Sequence, residues 1–374
     1  MLEPLREIVR AARDEIDELR TLPPHVVDAL AEAGVWRMTQ PRAWGGPELD
    51  VLTQFEIIEA ISTADGSAGW CSYIGSTAGL WNSYIDQDEA RAMYPSLDLP
   101  TGGSPAPRGR AERVDGGYLL SGRWPFGSGV KHSAWMVTGG VVHENGERVV
   151  GADGAPETIV AFLPGAELTI DERWETTGLR GTGSYDYSAE SVFVPVERTF
   201  VMHESPPRRP GPLYAFSNML LFNHSAVVLG IARAAIEEFV TLARERRHVG
   251  GTLIAEEDYA RSAVAHAEAR VGSARSYCFQ VMADVWNSLE RGEELTPGQR
   301  ARYRLMIANA HSISVEAVQL VYHAAGTAAI QKSNPLDRCL RDVLTANQHM
   351  VATPRAYQTA GAMLLGYEPG DPTF

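Results

Sequence analysis

His349, in the stretch CLRDVLTANQHMVATPRAYQTAG (339–361), is the residue that most invites chemistry. An imidazole can donate a hydrogen bond, accept a proton, or switch between the two near its reference pKa of about 6.5. The stretch reads as a helix, and no Asp or Glu occurs from 343 to 367 or from 205 to 236. A second candidate lies in GRWPFGSGVKHSAW (122–135), where Phe126 and Ser128 stand two residues apart. On a strand of period two they share a face, and a bulky ring beside a hydroxyl suits the cover and the edge of a flavin. The same pair equally suits a glycine-rich strand end with a buried aromatic.

The other histidines divide by context. His25, His143, His248 and His266 lie in polar settings, whereas His132, His224, His311 and His323, like His349, lie among apolar or small residues. Such histidines are commonly satisfied core residues. No HExxH or comparable ligand spacing points to a metal. No GxGxxG or GxxxxGK[ST] supports a nucleotide site. The glycines of WETTGLRGTGSYDYSAESVFVP (174–195) read as turns between strands.

These residues must be held by a scaffold, and 374 residues with 44% apolar content are ample for a large core. A net charge of −14 disfavours nucleic acid and anionic membranes as partners. The three cysteines, Cys71, Cys278 and Cys339, are widely spaced and fit a reducing cytoplasm. The N-terminus is amphipathic and charged, unlike a signal peptide, and no stretch has the roughly 20 apolar residues of a membrane span.

Periodicity and turn signals predict helices over 2–20, 25–34, 51–63 and 66–84. From about 106, GYLLSGRW, AWMVTGGVV, TIVAFLP, ELTIDE and ESVFVP predict a small antiparallel sheet. After ESPPRRPGP the helical period returns, with long segments near 214–248, 256–291, 297–330 and 336–366 that suggest an antiparallel bundle. The expected division is a helical domain over 1–105, a β domain over 106–205 and a helical bundle over 206–374.

Several phrases in this order resemble the acyl-CoA dehydrogenase fold superfamily: DGSAGW (65–70), GRWPFGSGVKHSAW, WETTGLRGTGSYDYSAESVFVP, ARERRHVGG (243–251) and LDRCLRD (336–342). The resemblance implies an α+β, mainly helical fold: an N-terminal helical domain, a middle antiparallel β domain and a C-terminal four-helix bundle. It also implies a homotetramer with flavin between subunits. By position it makes Phe126 the ring-covering aromatic, Ser128 the hydroxyl near flavin N5, and Arg247 the arginine near the flavin phosphate. Ser104, in TGGSPAPRGRAERVDGGY, is implied as a further flavin contact.

The dehydrogenases of this fold place a catalytic glutamate some eight residues after an Arg-Asp pair. Here Arg341-Asp342 is followed at nearly that distance by His349, and their TEPxAGSD-like segment is replaced. The chain instead resembles the two-component flavin monooxygenases of the same fold. These include the oxygenase components of 4-hydroxyphenylacetate and steroid-phenol hydroxylases, dibenzothiophene monooxygenase and amino-sugar N-oxygenases. That branch implies reduced FMN or FAD, O2 as co-substrate, a C4a-hydroperoxide shielded from water, and a separate NAD(P)H-flavin reductase. His349 is then expected to stabilise oxygen or serve in acid/base work, with Trp70, Trp81 and His224 around the substrate. No histidine stands in GSTAGLWNSYIDQDEA, where the phenol hydroxylases are expected to carry one. Two other readings remain open: an acyl-CoA dehydrogenase using Glu368 as a displaced base, and a scaffold that has lost its flavin.

Overall fold

The protein was analysed as a computed structural model that describes residues 2–370 apart from Asp153 and Val249. Seven helices come first: α1 (Leu2–Ala11), α2 (Arg13–Leu19), α3 (Pro24–Glu32), α4 (Val51–Ala64), α5 (Gly66–Gly75), α6 (Ala78–Trp81) and α7 (Gln87–Met93). The helix expected over 2–20 breaks at Ala12, and the one expected over 66–84 breaks after Gly75. Between α4 and α5 the backbone of Asp65 is extended, which ends one helix. Its carboxylate then starts the next by accepting the Ala68 N–H at 2.9 Å.

Short glycine contacts pull these helices together. A Cβ added at Gly69 would overlap Ser62 Oγ on α4. Gly69 therefore lets α5 lie against α4 and fixes the position of its neighbour Trp70.

Eight strands follow: β1 (Thr101–Val114), β2 (Gly117–Gly127), β3 (Trp135–Glu144), β4 (Glu147–Arg148), β5 (Thr158–Pro164), β6 (Thr169–Asp171), β7 (Tyr185–Pro195) and β8 (Thr199–Phe200). They form one sheet in the order β6-β7-β2-β1-β3-β5-β8, with β4 beside β3. The sheet is not wholly antiparallel as expected, because β1 pairs with β3 in parallel. The sequence conceals β1, whose Gly and Pro residues produce register shifts around Pro107.

The period-two expectation for Phe126 and Ser128 also fails. Phe126 has φ +62°, in the left-handed region, and Ser128 lies one residue past the end of β2. The local twist sends the Phe126 ring outward, 68% exposed, while Ser128 turns inward and is buried.

The last part holds α8 (Asn223–Glu245), α9 (Asp258–Glu290), α10 (Pro297–Ala325), α11 (Pro335–Ala346) and α12 (Pro354–Leu364). Segment 214–222 is not helical apart from a 3-10 turn at Ser217–Leu221. The fourth long segment is two helices, since 347–353 leaves the helix around a 3-10 turn at Met350–Ala352 and Pro354 opens α12. His349 is therefore in a helix-breaking connection and not on a helix. Helix α8 packs along α4, where Gly230 admits the Glu59 carbonyl and the Ser62 Cβ, each 2.5 Å from where its own Cβ would stand. Phe55, Ile58 and Ile61 of α4 and Val227, Val228 and Ile231 of α8 are all buried in the same core cluster, each side chain contributing about 1.5–3 kcal/mol.

Candidate active site

Trp70 joins two groups of side chains. On one side its ring meets His224 edge-on at 5.1 Å and His349 at 5.8 Å. On the other its indole N–H donates to Ser128 Oγ at 3.1 Å. The four residues come from α5, the loop after β2, the first turn of α8 and the α11–α12 connection, so all three parts of the chain meet here.

The imidazoles of His224 and His349 lie 4.3 Å apart, and His311, in the middle of α10, is 6.0 Å from His224. His224 and His311 are buried, while His349 is partly exposed and caps its 3-10 turn, accepting weakly from Val351 N–H at 3.4 Å. Burial holds all three below the ordinary histidine range: His224 far below it, His311 at about 3 and His349 at about 4. Arg304, also buried, pushes His224 and His349 further down. No carboxylate is among the charges acting on them. At neutral pH the cluster is thus three neutral imidazoles, each with one N–H and one lone pair. Nδ1 of His224 and both ring nitrogens of His311 have no hydrogen-bond partner among the described residues.

Behind Ser128 runs a chain of hydroxyls. Ser128 Oγ is 2.7 Å from Ser184 Oγ, Ser184 Oγ is 2.7 Å from Thr182 Oγ1, and Thr182 Oγ1 donates to the Leu179 carbonyl at 2.8 Å. Leu179 itself has φ +48°, a conformation costly for a branched side chain. It is held from both sides, because its N–H donates to Asp342 Oδ1 at 2.6 Å and its carbonyl also accepts from Trp174 Nε1 at 3.2 Å. Asp342 is fully buried near Asp65; burial first, then the Asp65 charge, pushes its carboxyl up to about 7. Thus α11, which leads to His349, also anchors the loop that leads to Ser128.

The remaining expected residues are not gathered into this cluster. Phe126 faces outward with Trp174 edge-on at 6.2 Å. Ser104 lies on β1 opposite Thr138, and its hydroxyl caps Ala106 N–H at 3.4 Å. Arg247 is exposed beyond α8 and donates to the Gly251 carbonyl at 2.6 Å. Trp81 packs on Phe200 of β8 at 6.3 Å and is buried in the main core cluster. His323 is exposed, against its apolar sequence context. Ser184 and Thr182 were not singled out by sequence, although their alternation in RGTGSY was a usable signal, while His311 was weighed only as one of the histidines in apolar context and Asp342 only as part of the Arg-Asp landmark.

The residues present fit a flavin. They offer a hydroxyl edge at Ser128, an exposed ring at Phe126 and, among the described residues, imidazoles with unsatisfied nitrogens beside an indole. Glu368, the alternative base, is exposed beyond the end of α12. A cleft of about 180 Å³ lies elsewhere, between the Asp65–Gly66 junction, Ile231 and the start of α11. It contains neither the histidines nor Ser128.

Two family models match the chain: acyl-CoA dehydrogenase, N-terminal domain, over residues 3–87, and acyl-CoA dehydrogenase, C-terminal domain, over residues 222–354. The chain is 33% identical over 365 residues to the indole-3-acetate monooxygenase of Pseudomonas putida, covering 96% of this chain and 91% of that protein. It is 30% identical over 377 residues to the flavin-dependent monooxygenase oxygenase subunit HsaA of Rhodococcus jostii (strain RHA1), covering 96% of each. In three dimensions it is similar to the HsaA monooxygenase from M. tuberculosis, with a TM-score of 0.90 at 28% identity over 100% of this chain and 98% of that one. A histidine site free of carboxylates and similarity along nearly the whole of these chains agree: the protein belongs to the flavin-dependent monooxygenases of the acyl-CoA dehydrogenase family.

Proposed function

We propose that this monooxygenase hydroxylates a small aromatic compound with reduced FMN or FAD and O2, at a site formed by Trp70, Ser128, His224 and His349. The observation that carries the reading is the neutral imidazole pair His224–His349 packed on Trp70, with Ser128 on the far edge of the same indole. Reduced flavin supplies the electron pair that activates O2, so that one oxygen atom enters the substrate and the other leaves as water. Ser128 holds the flavin edge. His349 donates a hydrogen bond next to the activated oxygen: its low pKa keeps it neutral at neutral pH, and with Nδ1 accepting from Val351 N–H its Nε2 carries the hydrogen. Trp70 and His224 wall the reacting space and exclude water. An aromatic acid is the substrate class proposed, in line with the relative named indole-3-acetate monooxygenase.

Ser104, Phe126 and Arg247 belong to the same proposal as flavin contacts, and Trp81 as an outer wall of the pocket. The relatives named as oxygenase subunits support a separate flavin reductase as partner. A homotetramer and a cytoplasmic location complete the reading, with no nucleic acid or membrane partner. No described helix is long and apolar enough to cross a membrane.

The test is oxygen incorporation. Chemically reduced FMN or FAD, 18O2 and a panel of indolic and phenolic acids, indole-3-acetate among them, should yield a product with one labelled oxygen. If every reducing equivalent appears as hydrogen peroxide across the panel, the assignment of an aromatic acid substrate fails.

A further inference from the structure

The hydroxyl chain behind Ser128 has a direction, and that direction follows from counting hydrogens. Three oxygen–oxygen contacts of 2.7–2.8 Å join Ser128, Ser184, Thr182 and the Leu179 carbonyl. Two oxygens approach that closely only with a hydrogen between them. Three hydroxyls supply three hydrogens, and the carbonyl at the end supplies none. Thr182 must therefore donate to Leu179, Ser184 to Thr182, and Ser128 to Ser184. At the other end Trp70 N–H, which can only donate, takes one lone pair of Ser128. Ser128 is left with a single free lone pair and no free hydrogen.

We propose that this polarised chain makes Ser128 a selector of flavin redox state, presenting an acceptor that suits the N–H at the edge of reduced flavin and repels the lone pair of the oxidised ring. The inference rests on the reading that Ser128 meets the flavin edge. Reduced flavin carries a hydrogen on N5 and oxidised flavin carries a lone pair there, so the two forms ask opposite things of Ser128. To serve the oxidised form, Ser128 must withdraw its hydrogen from Ser184 and leave a buried acceptor unsatisfied. Asp342 sustains the polarity by holding Leu179 N–H, which keeps the Leu179 carbonyl in its strained orientation as the terminal acceptor. An enzyme that receives flavin already reduced gains from such a device, because the spent oxidised flavin is released.

The test removes the acceptor that commits the Ser128 hydrogen. In Ser184→Ala that hydrogen is free to turn toward oxidised flavin. Anaerobic titration of wild type and variant with FMN and FAD, in both oxidised and reduced forms, gives the ratio of the two affinities. In wild type the reduced form should bind at least about tenfold tighter, one hydrogen bond gained against one denied. In Ser184→Ala the ratio should fall about five- to tenfold, chiefly through tighter oxidised binding. The midpoint potential of the bound flavin should fall correspondingly, by about 30 mV for a tenfold change in a two-electron couple. Thr182→Val, which removes the next acceptor while keeping shape, should move the ratio the same way and decides the matter if Ser184→Ala folds poorly.

An unchanged ratio in both variants overturns the inference, as does a wild-type preference for oxidised flavin. Ser128→Ala separates this failure from failure of the site itself. If Ser128→Ala leaves both affinities unaltered, Ser128 does not meet the flavin. If it alters them while Ser184→Ala and Thr182→Val do not, the chain behind it has no polarity that matters.

Discussion

The three histidines owe their chemistry to where they lie. Removed from water and unassisted by any carboxylate, His224, His311 and His349 stay neutral where a free imidazole would be partly charged. This has a consequence for stability. The unfolded chain takes up protons at each histidine near pH 6.5, whereas the folded chain waits until about 4 at His349 and about 3 at His311. Stability from these groups is therefore complete above pH 6.5 and is lost as pH falls toward 3. Asp342 acts in the opposite sense. Its folded carboxyl, raised to about 7, keeps a proton that an ordinary carboxyl gives up near pH 4, so its contribution is complete below pH 4 and lost as pH rises toward 7. The two trends compete between pH 4 and 6.5. His311→Leu removes one histidine without touching Ser128 or His349. Urea unfolding at pH 4.5 and 6.5 should show the acid-side loss reduced, by at most about 1.4 kcal/mol per pH unit. An unaltered pH slope would show that His311 is solvated or charged in the folded protein.

At the scale of elements, site geometry depends on helices that touch through missing side chains. Gly69 brings α5 onto Ser62 of α4, and Trp70 follows in the chain. Gly69→Val should force the two helices apart, costing about 2–4 kcal/mol in unfolding free energy. Gly272, in the middle of α9 with nothing near its absent Cβ, provides the contrast: Gly272→Ala should gain up to about 1 kcal/mol. Equal effects at the two positions would contradict the close approach at Gly69. The elements also show which signals the sequence carried. Apolar periodicity placed α4, α9 and α10 to within a few residues, because each buries a continuous stripe, whereas α8 starts nine residues later than expected. It did not reveal β1, whose Gly and Pro residues read as loop, nor the break after α11. His349 owes its place to that break: a helix continued through 347–353 would carry its side chain around the helix axis with its neighbours.

At the scale of the whole molecule, the site is assembled from positions 70, 128, 224 and 349, and each was recognisable in sequence by type or by resemblance. What the sequence could not convey was how they are joined. Phe126 and Ser128 were expected to share a face, and a single left-handed residue sends them apart. The links that pass from Asp342 through Leu179, Thr182 and Ser184 to Ser128 join three separate stretches of sequence with common residue types, so no local pattern announces them. Arg247 and Ser104, expected from the resemblance as flavin contacts, lie outside this cluster and make only local hydrogen bonds to Gly251 and Ala106. The central claim is that His349 directs activated oxygen into the substrate, and one comparison tests it most directly. Wild type and His349→Ala are each given a limiting amount of reduced flavin with O2 and an acid that wild type hydroxylates. Product and hydrogen peroxide are then counted against the electrons supplied. The expected result is a folded variant whose product yield falls at least about tenfold, a loss of hydrogen-bonding assistance, with hydrogen peroxide rising to account for the same electrons. A variant that keeps the wild-type yield and releases no additional peroxide would remove His349 from the mechanism.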